Sequence, residues 1–195
     1  MNKYRIGKEQ LWSVFEAWDR YLVRKIHLVA CGGTALTIQD IKESTKDIDF
    51  MVPVLTEYRA LILTLRKLGY KQVTGYGWTR GDGLIFEFYE GNRIFTTELI
   101  ESPLEKGNNI PVKTYRHLYV GVLNDYDLAI SKLFRGAEID QADCLALIRA
   151  HREAFVLEEF EYRYRETAKY EINEEKVLRN LQAFLTLHRE ELTRG

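Results

Sequence analysis

The segment Asp47–Val52, which Pro53 stops, opens by alternating polar and apolar side chains and carries two aspartates, Asp47 and Asp49. A period of two is that of a β-strand with one face in the core. Side chains two apart share a face, so Asp47 and Asp49 stand side by side while Ile48, Phe50 and Val52 turn inward. Two adjacent carboxylates repel each other, and they need a cation or a shared proton between them. Hard oxygen ligands of this kind suit Mg²⁺ held together with a substrate's phosphates.

Upstream, Ile26 to Cys31 is a short apolar run that reads as a buried strand. Gly32-Gly33 breaks it, and Thr34 to Ile41 reads as a short helix. Thirteen residues separate Gly33 from Asp47. Glycine lets a phosphate approach the backbone, and a helix start supplies free N–H groups. One motif is suited to a metal ion and the other to the phosphates bound to it.

The flanking segments predict the rest of the fold. Leu11, Val14, Phe15, Trp18 and Leu22 make the buried stripe of a first helix over Lys8 to Arg24. Thr56 is positioned to cap a helix that Gly69 closes. Gly75 to Gly83 contains four glycines and is expected to be a mobile loop. The runs Leu84 to Tyr89 and Arg93 to Ile100 are expected to pair as a hairpin around Gly91-Asn92. From Asn124 onward the pattern is helical, with Asp140 and Asn173 as expected caps and Ile172 with Val177 as a hydrophobic staple. The expected architecture is α/β over residues 1–123, then a helical region over 124–195.

The order strand, Gly-Gly-Thr, helix, then a strand bearing Asp-Ile-Asp-Phe resembles the signature of DNA polymerase beta-like nucleotidyltransferases. The form CGGTAL…TKDIDF is most similar to the minimal and abortive-infection-type members, some of them toxins of toxin–antitoxin pairs. The resemblance covers residues 26–148 and is strongest over residues 31–50. It implies the nucleotidyltransferase fold, a small mixed sheet flanked by helices and followed by a helical bundle. The implied reaction moves a nucleoside monophosphate from an NTP to a hydroxyl of a tRNA, a protein or a small molecule. The implied cofactor is Mg²⁺ or Mn²⁺, and a toxin would bring an antitoxin protein as partner.

The same resemblance implies site residues. Asp47 and Asp49 bind metal, and Gly32, Gly33 and Thr34 bind the triphosphate. A third carboxylate is required on a neighbouring strand. Glu98, late in the second strand of the expected hairpin, is favoured over Glu87 in the first. Either one departs from the family's commoner aspartate. The segment Asp125–Arg135 with Asp140 and Asp143 resembles the family's DLxxxKLxR…D…D helix pair. It implies that Lys132 contacts nucleotide phosphate and that Asp143 sits near or orients it. An alternative from another class is a catalytically inactive module of the same fold that binds a nucleotide or a partner protein.

Bulk properties narrow the surroundings. The formal net charge of -1 does not indicate a strongly basic nucleic-acid binder. Cys31 and Cys144 are far apart, forming neither a disulfide framework nor a zinc spacing, which points to a reducing cytoplasm. The start lacks the apolar core of a signal peptide, and no apolar run approaches the ~20 residues that cross a bilayer. The four histidines show no ligand spacing.

Overall fold

The computed structural model describes residues 4–193. It contains seven helices and nine strands among the described residues. The chain separates into two compact units. The first comprises the residues up to Arg93 together with Glu101–Asn124, and the second Ile94–Ile100 together with the residues from Asp125 onward.

The first unit is built on a seven-stranded mixed sheet. Its elements are α1 (Lys8–Asp19), β1 (Ile26–Ala30), α2 (Gly32–Ile38), β2 (Asp47–Val52), α3 (Leu55–Lys67), β3 (Lys71–Gln72), β4 (Gly77–Thr79), β5 (Ile85–Glu90), β8 (Asn109–Thr114) and β9 (Leu118–Leu123). The strand order is β3-β4-β5-β2-β1-β9-β8. β1 runs antiparallel to β2 and parallel to β9, and β2 runs parallel to β5. The central strands β1 and β2 are almost wholly buried, as strands with neighbours on both edges should be.

An aromatic layer covers one face. Phe15 of α1 meets Phe50 of β2 edge-on with ring centroids 5.5 Å apart. Trp18 meets Phe86 of β5 at 5.0 Å, and its indole N–H donates to the Tyr70 hydroxyl at 3.2 Å. Because side chains alternate, burying Ile48, Phe50 and Val52 with Phe86 and Phe88 sends Asp47, Asp49 and Glu87 to the opposite face.

The second unit holds the two-stranded ribbon β6 (Arg93–Ile94) and β7 (Thr97–Glu98) apart from its first residue, Arg93, with helices α4 (Asp125–Arg135), α5 (Glu138–Ala150), α6 (Leu157–Ala168) and α7 (Glu174–Thr193). Phe134 and Tyr164 join α4 to α6 with ring centroids 4.8 Å apart. The Asp127 carboxylate is gripped by both Nε and Nη2 of Arg163, at 2.6 and 2.7 Å. None of the described helices is long and apolar enough to cross a membrane.

Several local expectations are corrected. The glycine-rich segment is not wholly loop: β4 lies inside it, with Trp78 buried and paired to Phe86. β5 forms no hairpin with β6 or β7, because both its edges are taken by β2 and β4. β6 and β7 pair with each other instead, turning at Phe95 with φ +52°. Thr56 is not a cap, since α3 begins at Leu55 after Val54. Asp140 lies inside α5 rather than at its cap, and from there its carboxylate accepts from the Ala137 N–H at 3.2 Å. Asn173 accepts from the Lys176 N–H at 3.1 Å, but Ile172 is fully exposed, so the staple with Val177 does not form.

Candidate functional site

Gly32 and Asp49 form the centre of the arrangement. The Cys31 N–H donates to the Asp49 carbonyl at 3.1 Å, so the end of β1 is tied to β2 where the bend begins. Gly32 takes φ +57°, a conformation that side chains rarely adopt. A Cβ on Gly32 would overlap Asp49 Oδ2. The buried Asp49 carboxylate therefore rests against the bare Cα of the bend, while Asp47, two residues earlier on the same face, is exposed.

Two threonines lock this contact. The Thr34 hydroxyl accepts from the Asp49 N–H at 2.9 Å and donates to the Asp47 carbonyl at 3.1 Å. Thr45 donates to the same carbonyl at 2.7 Å, and a Cβ on Gly33 would come within 2.6 Å of its hydroxyl. The Gly-Gly bend and the Asp-x-Asp strand are thus in contact. Thr34, expected to bind triphosphate, is wholly buried, and its hydroxyl is turned to the strand. In this position it holds the two motifs together.

Glu87 and Glu98 occupy different places. Asp49 and Glu87 are register partners across the parallel β2–β5 pair, where strands run about 4.8 Å apart. Glu87 is half-buried on the face that carries Asp47 and Asp49. Glu98 is exposed on β7, in the separate ribbon, and is not on a strand of the seven-stranded sheet. The preference for Glu98 followed from the hairpin that β5 does not form.

Tyr89 was not among the expected site residues. It is 1% exposed, and its hydroxyl donates to Glu87 Oε2 at 2.5 Å. Its phenol is held far above the ordinary tyrosine range, by burial first, then by the Asp49 charge, then by the hydrogen bond to Glu87, with Cys31 adding to it. The hydroxyl therefore stays protonated and remains a donor. Its ring lies 4.9 Å from that of the partly exposed Tyr76. The spacing Glu87-Phe88-Tyr89, two residues apart on one strand, was the available signal.

In the second unit, Lys132 is 2% exposed, with its ammonium 2.7 Å from Asp143 and 3.9 Å from Asp140. Arg135 also holds Asp140, with Nε 2.8 Å from Oδ2. The Lys132 ammonium is thus enclosed by two carboxylates. The expected neighbourhood of Lys132 and Asp143 is present as a buried ion pair.

Among the described residues, no three His, Cys, Asp or Glu side chains converge into a ready cation cage. The donors of Asp47, Asp49 and Glu87 are all oxygens on one face of adjacent strands. That set fits Mg²⁺ or Mn²⁺, since Mg²⁺ takes one or two carboxylates and completes its octahedron with water and substrate phosphate.

No protein-family model matches this sequence, and no curated protein matches it. Among solved structures, it is similar to the crystal structure of ANT(2")-Ia in complex with adenylyl-2"-tobramycin, with 15% identity and a TM-score of 0.44, over 91% of this chain and 96% of that one. It is also similar to the solution structure of the antibiotic-resistance factor ANT(2'')-Ia, with 17% identity and a TM-score of 0.44, over 92% and 91%.

Proposed function

We propose that this protein is a nucleotidyltransferase that moves a nucleoside monophosphate from an NTP to an acceptor hydroxyl. The observation that carries this reading is the contact of Asp49 with Gly32, with Glu87 in register beside it. It joins a carboxylate pair and a third acid on one strand face to the glycine bend that Asp49 touches.

In the proposed reaction the acceptor oxygen attacks the α-phosphorus. A new P–O bond forms as the bond to the β-phosphate's bridging oxygen breaks, and pyrophosphate leaves. Asp47 and Asp49 would hold the divalent ion, which when bound supplies neutralisation of the phosphate charge. Glu87, rather than Glu98, would be the third carboxylate and take the acceptor's proton. The Gly32 and Gly33 backbone would face the polyphosphate. Lys132 and Asp143 would contribute indirectly, by holding α4 to α5.

The test is incubation of the purified chain with each α-labelled NTP and Mg²⁺ over a set of tRNA, protein and small-molecule acceptors. Wild type should transfer label. Asp49→Asn should lose roughly 10²-fold or more, as when charge stabilisation is removed from a transfer site. Equal labelling by Asp49→Asn and wild type would refute the role. The finer reading as a toxin with an antitoxin partner is tested by expressing both forms, with growth arrest by wild type alone supporting it. Cys31 and Cys144 are both buried, in keeping with the reducing, cytoplasmic setting proposed from their spacing.

A second reading, a module of the same fold that binds nucleotide without turning it over, rests on glutamate standing where the family's third acid is more commonly aspartate. A thermal shift with NTP and Mg²⁺, with no transfer to any acceptor, would select it.

A further inference from the structure

We infer that Tyr89 is a positioning residue that sets the carboxylate of Glu87 for its work beside Asp49. This inference rests on the nucleotidyl-transfer reading and deepens it.

Glu87 and Tyr89 lie two residues apart on β5, hence on the same face, and the phenol hydroxyl donates to Oε2 at 2.5 Å. That bond fixes the rotation of the whole carboxylate and occupies one lone pair of Oε2, leaving the remaining lone pairs in a set orientation for ligation or proton acceptance. A half-buried glutamate has three side-chain torsions to fix, and its backbone alone does not fix them.

Tyr89 itself cannot easily swing away. Its side chain is 1% exposed, its register partner on β2 is Met51, and the Tyr76 ring lies 4.9 Å from its own. A buried phenol is thus anchored on its apolar ring and delivers its hydroxyl at a fixed point, an economical way to orient an acid. Partners of this kind act on metal affinity and turnover through the group they hold.

Tyr89→Phe keeps the ring and removes only the hydroxyl. Mn²⁺ binding is to be followed by the loss of its free-ion electron paramagnetic resonance signal, with each of the four α,β-methylene nucleoside triphosphates present. Turnover is to be measured alongside. Tyr89→Phe is expected to weaken Mn²⁺ binding by about tenfold or more and to lower kcat by a similar factor, with the KM for NTP unchanged. In a Glu87→Gln background, Tyr89→Phe should add no further loss, because the group it positions is already altered. A variant matching wild type in both Mn²⁺ affinity and kcat would overturn the inference, as would losses that multiply in the double variant. Should wild type itself bind no Mn²⁺–nucleotide, the transfer reading fails first and this inference with it.

Discussion

The Asp49 carboxylate lies so close to Gly32 that a single methyl group on that glycine would collide with Oδ2. Gly32 also takes φ +57°. Gly32→Ala therefore combines a strained backbone with a displaced carboxylate. The expected cost is about 1–3 kcal/mol of stability from the backbone alone, measured by urea unfolding. Transfer activity should fall further than the stability loss explains, because Asp49 must move.

Glu87 and Glu98 should behave differently. Glu87→Gln is expected to lower kcat by roughly 10²-fold, while Glu98→Gln leaves it near wild type. Both are isosteric changes at half-buried or exposed positions, so melting temperatures should stay close to wild type. A loss confined to Glu98→Gln would reverse the assignment.

Lys132→Met should be a stability variant. It leaves Asp143 and Asp140 buried without their ammonium, and breaking one side of such a pair costs about 3–5 kcal/mol. Chemical denaturation should show that loss with no nucleotide present. A Lys132→Met protein as stable as wild type but with a raised KM for NTP would restore Lys132 as a phosphate ligand.

The Cys144 thiol is wholly buried, and burial is the main cause that pushes its pKa well above the ordinary range, against a lowering by Lys132. Its folded pKa is raised, so its contribution to stability is complete below the unfolded value of 9.0 and is lost as pH rises beyond it. Above that pH the unfolded chain releases a proton that the folded chain keeps. Wild type should then lose about 1.4 kcal/mol per pH unit relative to Cys144→Ala. The tyrosines titrate in both proteins and cancel in the difference. A flat difference between pH 9.0 and the alkaline limit of the assay would contradict the burial of this thiol.

The part of the site that was legible in the sequence is the part set by local rules. Alternation placed Asp47 and Asp49 on one face, and consecutive glycines marked the bend after β1. Both candidate acids, Glu87 and Glu98, could be named from the sequence, but the register of Glu87 with Asp49 could not, because it comes from a parallel pairing of β2 with β5 that no local pattern announces. Proximity along the chain instead favoured a hairpin beyond Gly91-Asn92, and Glu98 with it. Trp78 reads as part of a loop because its glycine neighbours outweigh it, whereas its burial against the Arg66 guanidinium, 5.4 Å from the ring, belongs to the packed sheet. Thr34 falls beside the motifs as expected, but its hydroxyl turns toward the β2 backbone, a direction that sequence spacing does not encode.

The parallel pairing of β1 with β9 has a consequence for biosynthesis. During translation, Ile26–Ala30 emerges some ninety residues before Leu118–Val122, the segment that covers its open edge. For that interval the nascent chain displays a bare, largely apolar ribbon edge suited to sticking to other strands. Truncation before Leu118 leaves that edge of β1 without its partner strand, and such a fragment should aggregate.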